Sequence, residues 1–161
     1  MDIQTKEDIK RVFKEQKKHQ KVMRALTSEQ RKAKLNRFLA VIAAHEEEII
    51  EAVRKDVRKP YNEVKRVEIL GSMKAIKDNI NNLDEWMAPK VVGSSLSTEA
   101  QGYLNYEPRG TCLILGPWNY PFMLTIAPLA AAIAAGNNAI IKLSDFTMET
   151  SHIAAKVIRE A

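Results

Sequence analysis

The residues best suited to chemistry form the loop 116–121, Gly-Pro-Trp-Asn-Tyr-Pro, which separates two apolar segments. Its two prolines restrict the backbone and would hold the side-chain amide of Asn119 in a set orientation. In open α/β sheets, ligands bind at the carboxyl ends of strands, and a fixed amide N–H at such a place can stabilise a developing oxyanion. The alternative interpretation is a structural turn that buries Trp118.

A second candidate group is Lys142, which ends the apolar run 139–142 and is closely followed by Ser144 and Asp145. An ammonium beside a hydroxyl and a carboxylate could hydrogen-bond the ribose hydroxyls or a phosphate of a nucleotide. The residue could equally be a strand-end lysine whose alkyl stem covers apolar surface while its charge reaches water. The residue types alone leave both interpretations open.

Other catalytic chemistries find little support in the sequence. Cys112 lies inside an apolar run with no basic partner or helix amino terminus nearby in sequence, which favours an inert buried thiol. His19, His45 and His152 show no metal-ligand spacing. The sequence contains neither a G-x-G-x-x-G pattern nor a Walker phosphate loop.

The elements that must position these groups follow from the hydrophobic pattern of the last third. The runs 112–115 and 139–142 are short, continuous and apolar, as is typical of strands buried on both faces. Between them, residues 122–135 form an apolar helix that ends at Gly136 and Asn137, and another helix begins at Met148. We therefore predict a βαβα unit with a parallel sheet. Two strands cannot cover so apolar a helix, so the α/β domain is expected to be incomplete.

The first half is predicted to contain three helices. Apolar residues recur at helical spacing from Lys6 to about Ala25, from a hydroxyl-capped start at Thr27 to Val53, and from Val64 to Trp86. Residues 94–106 alternate apolar with polar side chains instead, which predicts an extended β ribbon. Because such a ribbon has bare edges and little apolar surface, we expect it to pack on something outside this chain.

Composition limits the class of protein. The chain has 161 residues, of which 45% are hydrophobic, and a formal net charge of +5 that is concentrated in residues 1–37. A basic nucleic-acid-binding domain is one interpretation of that charge. Acidic residues are interleaved with it, however, and its single aromatic residue, Phe13, offers little stacking, which favours a solvated helix face. One cysteine, no signal-peptide pattern and no membrane-length apolar run predict a cytoplasmic protein with no membrane segment in this chain.

Several segments together resemble the aldehyde dehydrogenase superfamily. They are residues 110–122 (GTCLILGPWNYPF), 128–137 (PLAAAIAAGN), 140–145 (IIKLSD), 56–64 (DVRKPYNEV) and 83–89 (LDEWMAP). The segment that precedes the first helices is short, and in this respect the chain resembles the class 3-like branch of the superfamily. In that family a cysteine thiolate attacks an aldehyde, hydride passes to NAD or NADP, and water releases the acid.

The resemblance implies roles for particular residues. Asn119 would be the side-chain donor of the oxyanion hole, Trp118 would border the nicotinamide end of the site, and Tyr120 would lie near the aldehyde channel. Lys142 would contact the adenosine ribose, and Asp145 stands where the family has a glutamate that meets the ribose. The family usually has Lys-Pro-Ser-Glu where this chain has Lys-Leu-Ser-Asp, so preference between NAD and NADP stays open.

The same resemblance implies how the chain is organised. Residues 1–89 would be the helical amino-terminal part of the cofactor-binding domain, 90–107 the oligomerisation ribbon, and 108–161 the start of the NAD(P)-binding domain. The family's catalytic cysteine and glutamate would lie downstream, so we expect an amino-terminal fragment that is inactive alone and belongs to a homodimeric enzyme acting on a small-molecule aldehyde. The alternative is a non-catalytic assembly module or pseudoenzyme that pairs with a full-length relative.

Overall fold

The computed structural model describes residues 5–93 and 101–161. The first two helices, α1 (Lys6–Arg24) and α2 (Ser28–Ala44), begin where the sequence predicts. Each starts with a capping box in which Thr5 or Thr27 receives a hydrogen bond from the third backbone N–H of the helix. The polar stretch inside the first helix does not break it, so the prediction of one continuous helix is confirmed.

The prediction of one helix over residues 27–53 is wrong, because the chain turns at His45. There α2 ends, and α3 (Glu46–Val57) begins with three glutamates in its first turn, which suit the positive end of a helix dipole. His45 has φ −108° and ψ 16°, yet its N–H still bonds to the carbonyls of Val41 and Ile42. Since the apolar spacing runs on through the turn, periodicity alone did not reveal the break.

The third predicted helix is present but is not uniform. It consists of α4 (Tyr61–Glu63), a π-helical segment (Val64–Ile69) and α5 (Leu70–Met87). The Leu70 N–H bonds to the Lys65 carbonyl, the wider spacing of a π-helix, and the Ser72 hydroxyl bonds to the Glu68 carbonyl. Such π segments often occur at functional sites. This one places the whole Glu68 side chain in the interior.

The last third forms the predicted βαβα unit. Strands β3 (Thr111–Leu115) and β4 (Asn138–Lys142) pair in parallel from Thr111 opposite Asn138 to Leu115 opposite Lys142. Helix α6 (Met123–Ala134) connects them and α7 (Met148–Glu160) follows. After α6 the chain turns at Gly136, whose φ of +76° favours glycine. The predicted fold class, amino-terminal helices with the first βαβα unit of a parallel sheet, is confirmed.

The main core lies where α2, α3, α5, α6 and α7 meet, and Ile114 of β3 joins it. The prediction that β3 is buried on both faces is wrong for this chain, because Leu113 and Leu115 are each 66% exposed. Ile114 contributes to the core beside α6, while these two leucines line an open groove together with Ile9 and Met148. One face of the two-stranded sheet is therefore only partly covered.

A short ribbon links the helical half to the sheet. Strand β1 (Lys90–Val92) pairs antiparallel with β2 (Gly102–Leu104), which confirms the predicted ribbon for these residues, whereas residues 94–100 lie outside the described part. Val91 and Tyr103 face each other in register and are 60% and 56% exposed. Among the described residues, no helix is long and apolar enough to cross a membrane.

His45 ties the α2–α3 turn to the end of α7. Its Nδ1 lies 2.8 Å from Glu48 Oε1, and its Nε2 lies 2.7 Å from Glu160 Oε2. These hydrogen bonds, first that to Glu160 and then that to Glu48, raise the pKa of His45 above its ordinary 6.5, although burial and Lys156 oppose the shift. A group whose pKa rises on folding stabilises the fold most when it is protonated.

The stabilisation by His45 should therefore be complete below its unfolded pKa and should fade as the pH rises through the folded value. We expect His45→Gln to lower the midpoint of thermal unfolding clearly at about pH 6 and much less at about pH 9. The matched control is His152→Gln on α7, an exposed histidine. A destabilisation by His45→Gln that is the same at both pH values would contradict this account.

Candidate active site

The loop 116–121 leaves the carboxyl end of β3 and enters α6. The Gly116 N–H donates to the Lys142 carbonyl at 2.8 Å, which extends the pairing of Leu115 with Lys142 by one further bond. The loop and the end of β4 are therefore held side by side at one edge of the sheet. The structure thus brings both sequence-predicted groups, around Asn119 and around Lys142, to the edge where parallel sheets bind ligands.

Close packing against α6 holds the start and the end of this loop. A Cβ at position 116 would lie 2.5 Å from Thr125 Oγ1, so only glycine fits there without a shift. The Thr125 hydroxyl donates to the Pro121 carbonyl at 2.8 Å, and the Leu124 N–H donates to the Tyr120 carbonyl at 3.0 Å. The first turn of α6 therefore fixes the second half of the loop.

Lys59 reaches the loop from the segment between α3 and α4. Its Nζ donates to the backbone carbonyl of Asn119 at 2.6 Å and lies 3.3 Å from the centroid of the Tyr120 ring. Only 14% of the Lys59 side chain is exposed. The ammonium therefore contacts two neighbouring residues of the loop from its inner side, one through a hydrogen bond and one through a cation–π contact.

Glu68 is the buried partner of Lys59. Its Oε1 lies 3.2 Å from Lys59 Nζ, and its Oε2 accepts the Met123 N–H at 2.9 Å. Burial raises the pKa of Glu68 above its ordinary value, against the lowering effects of the Met123 N–H and of Lys59. One fully buried carboxylate thus joins Lys59 to the beginning of α6.

Sequence reasoning missed both Lys59 and Glu68. Lys59 lies beside Pro60 between two predicted helices, where the sequence gives no sign of a function. Glu68, however, follows Val64 by four residues and precedes Ile76 by eight, which places it on the buried stripe of its helix. A glutamate on an apolar stripe was the available signal, since charged residues are seldom fully buried unless they are paired.

The three predicted loop residues differ in exposure. Trp118 is 60% exposed and Asn119 is exposed, whereas Tyr120 is half-buried beside Lys59. The structure therefore does not support the alternative of a turn that buries Trp118. The backbone of the loop is fixed from inside, while the indole and the amide remain available on the surface of this chain.

Lys142 and Asp145 form a second group at the same edge. Lys142 Nζ lies 2.5 Å from Asp145 Oδ2, and the two side chains are 54% and 83% exposed. Both line the groove that contains Leu113 and Leu115. The buried Ser144 shapes the turn between them, since its hydroxyl accepts the Phe146 N–H and its carbonyl accepts the Ser151 hydroxyl.

Cys112 does not join either group. It pairs with Ala139, three residues before the strand end at Leu115, which is about 10 Å along an extended chain. No cluster of histidine, cysteine, aspartate and glutamate that could hold a metal ion occurs among residues 5–93 and 101–161. The chemistry that this edge offers is therefore an amide donor, an indole, a phenol and a lysine–aspartate pair.

Comparison with known proteins identifies the family. Residues 1–161 match the description "Aldehyde dehydrogenase family". The chain is 71% identical over 161 residues to AldX of Bacillus subtilis (strain 168), covering 100% of this chain and 36% of that protein. It is 37% identical over 119 residues to aldehyde dehydrogenase family 3 member A2 of Pongo abelii, covering 73% of this chain and 24% of the relative. The latter agrees with the expected class 3-like branch.

Solved structures agree with this result. The substrate-bound state of Staphylococcus aureus AldH superposes with a TM-score of 0.90 and 34% identity, over 99% of this chain and 34% of that one. Two more distant structures share the fold: the succinic semialdehyde dehydrogenase of Streptococcus pyogenes in complex with NADP+ (TM-score 0.87, 19% identity, 99% and 34% covered) and an NAD-dependent benzaldehyde dehydrogenase of Corynebacterium glutamicum (0.82, 23%, 96% and 33%).

The cofactors of those enzymes agree with the expectation of NAD or NADP. The chain spans about a third of the length of the relatives and structures just described, or less. The match nevertheless extends over every residue of this chain and includes the loop 116–121 and the edge at Lys142. The chain belongs to the aldehyde dehydrogenase family.

Proposed function

We propose that the chain forms the amino-terminal portion of an NAD(P)-dependent aldehyde dehydrogenase and supplies one donor of its oxyanion hole. This proposal rests on the position of Asn119, whose backbone is held in place while its side chain is exposed. Its carbonyl is fixed by Lys59 at 2.6 Å, while its side chain is exposed at the carboxyl edge of the sheet. A preorganised amide donor stabilises developing negative charge because it needs no reorientation during the reaction.

In this proposal the Asn119 amide donates to the aldehyde oxygen as a thiolate adds to the carbonyl carbon and negative charge moves onto that oxygen. Tyr120 lines the aldehyde channel, and its half-buried ring is held by Lys59. Cys112, inside β3, is not the nucleophile. The thiolate and the general base come from the part of the enzyme that this chain does not span, as the one-third coverage of the relatives supports.

The cofactor site in the proposal lies beside Lys142 and Asp145. When bound, NAD(P)+ supplies the hydride acceptor. The ammonium and carboxylate suit ribose hydroxyls, because one donates and the other accepts hydrogen bonds, and the neighbouring groove offers the apolar side chains of Leu113 and Leu115. Trp118, 60% exposed, borders the nicotinamide end.

Two further parts of the proposal concern assembly and location. We infer that the complete enzyme is a homodimer in which the ribbon takes part, since Val91 and Tyr103 are largely exposed on a two-stranded element with bare edges. We also infer a cytoplasmic location, for which the reducing environment suggested by the single cysteine is the support.

A chimera tests the proposed function. Residues 1–161 are joined to the part of the Bacillus subtilis relative AldX that lies beyond the matched segment, because 71% identity favours correct packing of the two parts. We expect the chimera to form NADH or NADPH with aliphatic or aromatic aldehydes, and the 161-residue chain to form none, because no covalent route exists without a suitably placed thiol.

The control is the same downstream part of AldX without residues 1–161, which should also be inactive. A folded chimera without turnover on any aldehyde would contradict the proposal and favour the non-catalytic assembly module. Reproducible NADH formation by the 161-residue chain alone would show that the proposed division of catalytic groups is wrong.

A further inference from the structure

We propose that the buried Lys59–Glu68 pair positions the oxyanion donor, so that Lys59 affects catalysis through Asn119 without contacting the substrate. The inference rests on the proposed function and extends it to two residues of the helical half. It follows from where the pair is attached to the chain. One attachment is the Asn119 carbonyl, and the other is the N–H of Met123, the first residue of α6.

The two attachments enclose the turn that leads from the loop into the helix. Lys59 holds the peptide group that follows Asn119, and Glu68 holds the peptide group that precedes Met123. Lys59 Nζ and Glu68 Oε1 are 3.2 Å apart, so the two ends of the turn are tied to each other through one ion pair. The direction of the Asn119 side chain depends on the first of these peptide groups.

An ion pair suits this task better than neutral groups would. Charge-assisted hydrogen bonds are shorter and about twice as strong as neutral ones. Glu68 has no exposed surface, and Lys59 is enclosed by Glu68, the Asn119 carbonyl and the Tyr120 ring, with Glu63 Oε1 further away at 4.0 Å. Removing one partner would leave the other charge buried, so the arrangement resists small displacements.

The fold does not depend on Lys59 alone to hold α6. Phe122 and Ile126 are fully buried in the core, and Thr125 bonds to the Pro121 carbonyl. Loss of the Lys59 ammonium should therefore leave the helix in place and release mainly the Asn119 carbonyl. A displacement of about 1 Å at a catalytic group can cost ~10²-fold in rate.

The test uses the chimera with AldX. We expect Lys59→Met to lower kcat by about ten- to a hundredfold while leaving the affinity for NAD(P) within about twofold of the parent. In an Asn119→Ala background the same substitution should lower kcat much less, because the amide is already absent and only the contact with the Tyr120 ring remains to be lost. A purely structural residue would lower kcat by a similar factor in both backgrounds.

The matched control is Lys65→Met in the neighbouring π-helical segment, which removes a partly exposed pair with Glu46 at 2.6 Å and should leave kcat unchanged. Thermal unfolding verifies that each variant is folded. If Lys59→Met does not fold, Lys59→Gln replaces it, since an amide removes the positive charge and keeps a hydrogen-bonding group near Glu68. Failure of both variants to fold would assign the pair a structural role and overturn the inference.

The outcomes separate the two proposals. An inactive parent chimera would overturn the proposed function and the inference together. An active parent that loses activity with Asn119→Ala but keeps its full kcat with Lys59→Met would overturn the inference alone. Equal losses from Lys59→Met with and without Asn119 would do the same.

Discussion

Asn119→Ala is expected to lower the kcat of the chimera with AldX by ~10² to 10³, the usual effect of removing one oxyanion donor. The reason is that the amide interacts with charge that exists only in the transition state, so its loss should not weaken the ground-state complex in proportion. The backbone should stay in place, because the contact from Lys59 is with the Asn119 carbonyl and not with its side chain. Cofactor affinity should therefore change little.

Steady-state kinetics with aldehyde and cofactor varied in turn measure this effect, and a direct titration gives the affinity for the cofactor. Asn81→Ala is the matched control, since Asn81 is exposed on α5 and lies in a different part of the chain. If Asn119→Ala weakened NAD(P) binding as much as it slowed turnover, the oxyanion role would be wrong and a role in cofactor binding would replace it.

Gly136→Ala is expected to destabilise the fold by about 2–4 kcal/mol, for two reasons that act together. The glycine has φ +76°, which an alanine adopts only with strain, and a Cβ there would lie 2.6 Å from the Arg31 guanidinium. Arg31 is 5% exposed and donates to the carbonyls of Ala134, Leu26 and Arg24. Displacing the Arg31 guanidinium would break its hydrogen bonds to the carbonyls at the end of α6 and in the α1–α2 turn.

The midpoint of thermal unfolding measures the loss, and Gly93→Ala provides the control. A Cβ at Gly93 would meet no atom within 4 Å, so its replacement should be nearly neutral. Similar midpoints for the two variants would show that neither the backbone strain at position 136 nor the displacement of Arg31 lowers stability. The expected difference would instead show that the fold requires glycine at this position.

The elements around the site were predictable where local sequence determines them. Short apolar runs ending at Gly116 and Lys142, and a helix ending at Gly136, predicted the βαβα unit and the edge at which Asn119 and Lys142 lie. These signals depend on neighbouring residues only, so a single sequence carries them.

Features that depend on contacts distant in the sequence were not predictable in this way. The turn at His45 involves Glu160, which is 115 residues away, and the burial of Glu68 involves Met123, which is 55 residues away. Apolar spacing also predicted a strand buried on both faces, whereas the exposure of Leu113 and Leu115 depends on which other strands and helices are present. The apolar pattern shows that both faces of the strand can be buried. Whether they are buried depends on the strands and helices that pack against them in the folded protein.

The open face and edges of the two-stranded sheet affect the tendency of the chain to aggregate during synthesis. A charged residue on an edge strand, such as Lys142 at the end of β4, hinders pairing with strands of other molecules. Strand β3 has no charged residue between Thr111 and Leu115. Two leucines, each 66% exposed, lie beside its backbone. When no further strand or helix covers this face and edge, β3 can therefore pair with a second copy of itself, and aggregation should rise with concentration unless a chaperone binds the strand.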